Sequence, residues 1–258
     1  MRIVVKIGTS TLAHTGGRLN IRRTEQLVKV LSDLKNAGHE MILVSSGAIG
    51  LGAGKLQIAR PKDMPTKQAA AAVGQCELMY VYDRLFADYN HTVAQLLLTR
   101  EDFDNDRRLE NLENTVFRLL ELGVIPIINE NDTVATEEIA VGDNDTMSAM
   151  VAKYVKGDLL ILLSDIDGLY TKDPHRYDDA VLIGEVRSIT PEIMALAGGA
   201  GSALGTGGMA TKLSAAKIIM DAGGDMVIAN GKDPRILYDI IGGKITGTRF
   251  IGKGVKTE

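Results

Sequence analysis

Short apolar runs alternate with longer amphipathic stretches along this chain, and that rhythm restricts its fold more than any other feature. Ile3 to Ile7, Met41 to Val44, Thr92 to Leu98, Val124 to Ile128, Leu159 to Leu163 and Met226 to Ala229 have strand length and are apolar almost throughout, as strands buried on both faces must be. Helical patterns lie between them at about 22 to 37, 66 to 88, 107 to 122, 144 to 155 and 211 to 222. In the third of these, Leu109, Leu112, Val116, Leu119 and Leu120 fall on one stripe. Strand and helix in alternation imply parallel strands joined by right-handed crossovers. The expected fold is therefore a three-layer α/β/α sandwich around one mainly parallel open sheet.

Two segments break the rhythm: Asp132 to Val141, which has the makings of a hairpin, and the glycine-rich 198 to 208. No Pro/Ser-rich linker divides the chain, so residues 1–258 are expected to form a single domain with an N-terminal lobe (about 1–155) and a C-terminal lobe (about 156–258).

Composition excludes several classes. With 45% hydrophobic and 24% charged residues, the chain matches neither a disordered segment nor a disulfide-stapled miniprotein. Its net charge of −4 and the lack of a Lys/Arg cluster argue against nucleic acid or an anionic membrane as partner. No apolar run approaches the roughly 18 residues needed to span a bilayer. The single cysteine, Cys76, has no internal bridge partner and is expected to pack within its Ala-rich helix. The N-terminus lacks the pattern of a secretory signal, so a cytoplasmic location is expected. Glycine is over-represented, 28 of 258 or about 11% against a usual ~7%, and no repeat explains the excess. Close backbone approach to a ligand is a candidate cause.

In an open parallel sheet ligands bind beyond the carboxyl ends of the strands, so the residues that follow each strand carry the information. After the first come Lys6, Ile7 and Gly8. Strand alternation puts Ile3, Val5 and Ile7 on one face and Lys6 beside Val4 on the other, where its ammonium either snorkels to the strand end or holds an anion. After the second, Ser45-Ser46-Gly47-Ala48 leads through small residues to a helix start, suiting either a serine cap or a bound anion. The fourth runs into Ile128-Asn129-Glu130-Asn131-Asp132, and Gly142-Asp143-Asn144-Asp145 opens the next helix. Turn chemistry explains either cluster alone; together they suit a substrate ammonium, with Asp145 orienting lysines. The fifth ends at Ser164-Asp165-Ile166-Asp167-Gly168, a spacing that is not an EF-hand and that suits a nucleotide.

The richest segment is Gly198 to Lys212, with six glycines between 198 and 208 followed by Met209, Ala210, Thr211 and Lys212 at a helix start. Such a backbone frees N–H groups for phosphate oxygens. It is no ordinary P-loop. The near match at Gly247 to Lys253 has Gly254 where a hydroxyl residue is required, and no Gly-x-Gly-x-x-Gly follows the first strand. The four histidines, His14, His39, His91 and His175, lack metal-ligand spacing, and no metal-ligand set can be named. A reaction that needs two lysines and many backbone donors, but neither histidine nor thiol, is phosphoryl transfer to a carboxylate. That nucleophile is already ionised at neutral pH, so the obstacle is bringing it against polyanionic ATP; lysines, loop amides and Mg²⁺ lower it electrostatically.

These segments together resemble the amino acid kinase family, over about 1 to 250. The resemblance implies ATP-dependent phosphorylation, with Mg²⁺, of the γ-carboxylate of L-glutamate to γ-glutamyl phosphate, the first step of proline biosynthesis. Ser46, Asp132 and Asn144 match glutamate-binding positions in the N-terminal lobe. Lys6, Ser164, Asp165 and Thr206, Gly207, Gly208, Met209, Ala210, Thr211 and Lys212 match ATP-binding positions, the C-terminal lobe carrying most of them. Lys6 and Lys212 would stabilise the transferring phosphoryl group, and Asp145 would orient them. Ser45 stands where many relatives have threonine, and the sequence to Glu258 leaves out the RNA-binding-like C-terminal domain that many members carry, so functions tied to it are not expected. Members that phosphorylate glutamate are commonly homo-oligomers inhibited by proline, and both properties are carried over as expectations. Other branches act on acetylglutamate, aspartate, carbamate or uridylate and share the glycine-rich half, so the acceptor rests on the clusters at 46, 129 to 132 and 142 to 145. A non-catalytic amino-acid sensor on the same fold is disfavoured because both lysines and Asp145 are present.

Overall fold

The computed structural model describes residues 1–14, 17–135, 144–199 and 208–252. Eight strands, β1 (Arg2–Ile7), β2 (Glu40–Ser45), β3 (Val93–Leu98), β4 (Ile125–Glu130), β5 (Leu159–Ser164), β6 (Glu185–Val186), β7 (Asp225–Asn230) and β8 (Thr248–Phe250), form one sheet in the order β3-β4-β2-β1-β5-β7-β8-β6. Every pairing is parallel except β7 with β8. The first strand thus lies inside the sheet, in register with β2 (Lys6 opposite Val44) and with β5 (Lys6 opposite Leu162). Around the sheet lie helices α1 (Thr9–Leu12), α2 (Ile21–Asn36), α3 (Ala48–Leu56), α4 (Met64–Ala87), α5 (Glu101–Asp104), α6 (Asp106–Glu121), α7 (Asn144–Tyr154), α8 (Pro191–Ala195), α9 (Met209–Asp221) and α10 (Ile236–Ile241).

Strand alternation divides the hydrophobic core in two. Ile3, Val5, Ile7, Met41, Leu43, Ile127, Ile161 and Leu163 point to one face and meet Leu27 and Leu31 of α2, Leu78, Tyr82 and Phe86 of α4 and Leu237 of α10. Val4, Ile42, Val44, Ile128, Leu160 and Leu162 point to the other and meet Leu112, Val116 and Leu120 of α6, Met147 and Val151 of α7, and Leu213 of α9. This is the expected three-layer sandwich. The α6 stripe is buried at Leu112, Val116 and Leu120, and at about 1.5–3 kcal/mol each these side chains do more for the helix than its own propensity can.

The three longest helices start with ordinary capping chemistry. The side chains of Asn20, Asp63 and Asn105 accept from the backbone N–H of Arg23, Thr66 and Arg108, at 3.1, 2.9 and 3.1 Å, and so open α2, α4 and α6. Helices α3 and α4 touch backbone to backbone. A Cβ on Gly52 would lie 1.7 Å from the Ala70 carbonyl oxygen, and one on Gly74 would lie 1.8 Å from that of Ala48. Only glycine permits that approach.

One expectation changes. Cys76 is exposed, because α4 buries Ala70, Ala71, Gly74, Gln75 and Leu78 and turns Cys76 to its other side. The discarded near match around Gly247 has a structural role: with φ +76° and a hypothetical Cβ 2.1 Å from the Ile228 carbonyl oxygen, Gly247 makes the tight approach that admits β8. Of the segment read as a hairpin, residues 132–134 form a turn, and 136–141 lie outside the described residues. No helix among the described residues is long and apolar enough to cross a membrane.

Candidate active site

Three chain segments far apart in sequence bring charged side chains together at the carboxyl end of the sheet. Lys6 lies near the end of β1 on the face shared with α7 and α9. Asp145 is the second residue of α7, and Lys212 is the fourth of α9. Lys6 Nζ lies 2.7 Å from Asp145 Oδ1, and Lys212 Nζ lies 3.0 Å from Asp145 Oδ2. The Thr211 hydroxyl donates to the same Oδ2 at 3.2 Å. The side chains are 12% (Lys6), 2% (Asp145) and 9% (Lys212) exposed, so water screens them little. Burial by itself would raise the Asp145 carboxyl, but the ammonium groups of Lys6 and Lys212 outweigh it and hold the carboxyl down at about 2. Among the described residues one carboxylate stands between two ammoniums, an excess of positive charge that suits a polyanion.

Beside it lies a network of amides and hydroxyls. Asn144 Nδ2 donates to Ser46 Oγ at 2.8 Å, to Asn129 Oδ1 at 2.9 Å and to the Ser45 carbonyl at 3.3 Å. Asn129 Nδ2 donates to Gln75 Oε1 at 2.9 Å, and Ser45 Oγ and Tyr82 Oη are 2.9 Å apart. The backbone N–H of Ser46 donates to the Ile7 carbonyl, tying the end of β2 to that of β1. Ser46 and Asn144, named from sequence, are therefore in contact. Asp132 stands half-buried in the turn after β4, the strand that pairs with β2.

On the other side of β1, Ser164 Oγ donates to Asp165 Oδ1 at 3.2 Å at the end of β5. Asn230 at the end of β7 donates through Nδ2 to Asp167 Oδ1 at 2.7 Å, and Tyr170 Oη donates to Asp167 Oδ2 at 3.0 Å. Burial, and then Asp167, raise the Tyr170 phenol above its ordinary value. Gly208 is the N-cap of α9, and Gly47 that of α3. Neither start has a side-chain cap, unlike α2, α4 and α6. Their first-turn N–H groups thus remain available to an anion. Met209 is buried and Ala210 exposed, while Thr206 and Gly207 lie outside the described residues, as do Gly142 and Asp143. A cleft walled by Ile166, Leu169, Tyr170, Pro174, Leu196 and Met209 adjoins the start of α9. A wide groove of about 1300 Å³ between α2 and α10 contains none of the catalytic or binding residues read from sequence, and its mixed charges have no such focus.

The family model of the amino acid kinases matches residues 1–230. The chain belongs to the amino acid kinase family. This kinase is 53% identical over 257 residues to the glutamate 5-kinase of Clostridium perfringens, covering 98% of this chain and 96% of that one. It is 54% identical to the glutamate 5-kinase of Listeria innocua, covering 98% and 93%. Two solved structures share the fold at low identity. One is the carbamate kinase of Giardia lamblia bound to AMP-PNP, with TM-score 0.68 and 18% identity, covering 97% of this chain and 98% of that one. The other is the T. acidophilum isopentenyl phosphate kinase product complex, with TM-score 0.63 and 17% identity, covering 97% and 100%.

Reading strand ends misses two residues of the candidate site, Gln75 and Tyr82, because both reach it from the buried face of α4. Their one signal is a polar group in a stripe of Ala71, Leu78 and Phe86. Asn230 also goes unread, although it ends a strand by the same rule that singles out Ser164.

Proposed function

We propose that this kinase transfers the γ-phosphoryl group of ATP to the γ-carboxylate of L-glutamate, giving γ-glutamyl phosphate and ADP, the first step of proline biosynthesis. The observation that carries the reading is the buried Lys6–Asp145–Lys212 centre, flanked on one side by the Ser46–Asn144 network and on the other by the uncapped start of α9. The similarity to glutamate 5-kinases supports glutamate as the acceptor.

A carboxylate oxygen attacks the γ-phosphorus as the bond to the β,γ-bridging oxygen breaks, and ADP leaves with that electron pair. No general base is required, because the nucleophile is ionised at neutral pH. The cost is electrostatic, and Lys6 and Lys212 offset it with charges already desolvated and already oriented by Asp145. Lysine serves here as a compact point charge able to follow the phosphoryl group. Ser46, Asp132 and Asn144 hold glutamate, Asp132 supplying charge for its ammonium. Ser164, Asp165 and the residues Thr206, Gly207, Gly208, Met209, Ala210, Thr211 and Lys212 hold ATP. Glutamate would thus lie on the N-terminal lobe, about 1–155, and ATP mostly on the C-terminal lobe, about 156–258. Among the described residues no three His, Cys, Asp or Glu side chains gather as a metal cage. When bound, Mg²⁺ supplies charge neutralisation. Self-association and proline inhibition belong to the same proposal.

The test is direct. Purified protein with ATP, Mg²⁺ and glutamate is expected to yield an acyl phosphate that hydroxylamine traps as the hydroxamate. Product with aspartate or acetylglutamate, and none with glutamate, overturns the acceptor.

A further inference from the structure

Of the two buried polar side chains that α4 sends to the acceptor side, Gln75 ends a chain of amides with a fixed direction. Amide oxygen and nitrogen have nearly the same shape, so their order must come from a partner that cannot reverse its role. The Ser45 carbonyl only accepts, which fixes the atom 3.3 Å away as Asn144 Nδ2, a donor. The Asn129 atom 2.9 Å from that nitrogen must then be Oδ1, which turns Asn129 Nδ2 toward Gln75 and makes the Gln75 atom 2.9 Å away Oε1. The sequence of donors ends there. Gln75 Nε2 is buried and has no hydrogen-bond partner among the described residues. An unpaired amide nitrogen costs stability that a hydrocarbon side chain would not, so the fold alone does not account for glutamine here.

We propose that Gln75 is a positioning residue for the acceptor substrate: its carbonyl locks the amide of Asn129 and, through it, that of Asn144. The inference rests on the reading of Ser46 and Asn144 as acceptor-binding positions. Asn144 Nδ2 has two N–H bonds and already faces three acceptors, so what Asn144 retains for a ligand is its carbonyl, which suits an N–H donor such as an amino acid's ammonium. Without the Gln75 acceptor the Asn129 amide has lost one of the two partners that set its orientation, and Asn144 is correspondingly less well held.

Steady-state kinetics of Gln75→Leu and Gln75→Glu test this. Leucine removes the acceptor, whereas glutamate keeps an oxygen in place. Gln75→Leu is expected to raise KM for glutamate about tenfold, a factor typical of one hydrogen bond, with KM for ATP and kcat within about twofold of wild type. Its melting temperature should be no lower than wild type, since one orphaned amide has been exchanged for another. Gln75→Glu should stay within about threefold of the wild-type KM, and Gln75→Met, which better fills the volume, should behave like the leucine variant. Three outcomes overturn the proposal: an unchanged KM for glutamate in the leucine and methionine variants; both KM values rising together with a lower melting temperature, the mark of packing alone; or a glutamate variant as impaired as leucine. A wild-type protein inactive on glutamate fails earlier, overturning the functional reading and this inference with it.

Discussion

Replacing Asp145 by asparagine tests the centre where its energetics are most exposed. The carboxyl is held from 3.8 down to about 2 by the ammoniums that outweigh its burial. At about 1.4 kcal/mol per unit, that depression is worth about 2 kcal/mol at neutral pH. Because the folded-state value is the lower one, this stability is complete above about pH 4 and disappears as the pH falls toward about 2. The substitution would do more harm than protonation alone, since Asp145→Asn leaves two ammoniums facing a neutral amide in a site nearly closed to water. Removing one partner from a buried pair costs about 3–5 kcal/mol. For a chain of this size that is a fall of roughly 6–20 °C in melting temperature. The triple variant Lys6→Met, Asp145→Leu, Lys212→Met replaces all three charges by hydrocarbon and is expected to regain most of the loss while having no kinase activity. Urea titrations of the three proteins at pH 7.5, with wild type repeated down to pH 2, supply the numbers. An Asp145→Asn protein within about 1 kcal/mol of wild type, or a triple variant no more stable than it, refutes the reasoning.

Two further substitutions probe other parts of the site. Lys212→Ala should lower kcat at least about a hundredfold, as the loss of a key transition-state donor does elsewhere, and Lys212→Arg should not restore it because a planar fork cannot replace a compact ammonium; a near-normal kcat in the alanine variant removes Lys212 from the mechanism. Gly74→Ala puts a Cβ 1.8 Å from the Ala48 carbonyl oxygen and 2.5 Å from Gly52 N, so α3 and α4 must separate. The expected cost is about 1–3 kcal/mol in a urea titration, and an unchanged midpoint would mean that the two helices are not in backbone contact.

Much of this site is legible because of where parallel strands end. Lys6, Ser46, Ser164 and the Asn144–Asp145 pair all follow apolar runs or open a helix, and the structure gathers them at the carboxyl end of the sheet. Lys212 is legible for a different reason, since glycines followed by a helix start mark a backbone opened for an anion. Gln75 and Tyr82 lie outside the reach of that rule, because a helix that buries a stripe against a sheet reads as core whatever single polar group the stripe contains. The same averaging misplaced Cys76: an Ala-rich helix has no apolar contrast between its two sides. Strands β6 and β8, of two and three residues, are too short to leave any periodicity, and β8 is betrayed only by the glycines before it. The readings at Thr206, Gly207, Gly142 and Asp143 fall outside the described residues.

The inner position of β1 has a consequence for biosynthesis. One flank of that strand pairs with β2, which follows within forty residues, but the other waits for β5, with Ile7 opposite Leu163. At 5–20 residues per second the ribosome needs roughly 8–30 s to cover that distance. Throughout that interval the nascent polypeptide carries an apolar ribbon with one row of amides and carbonyls still seeking neighbours, so the sector that will house Lys6 is also the one most in need of a chaperone while the message is being read.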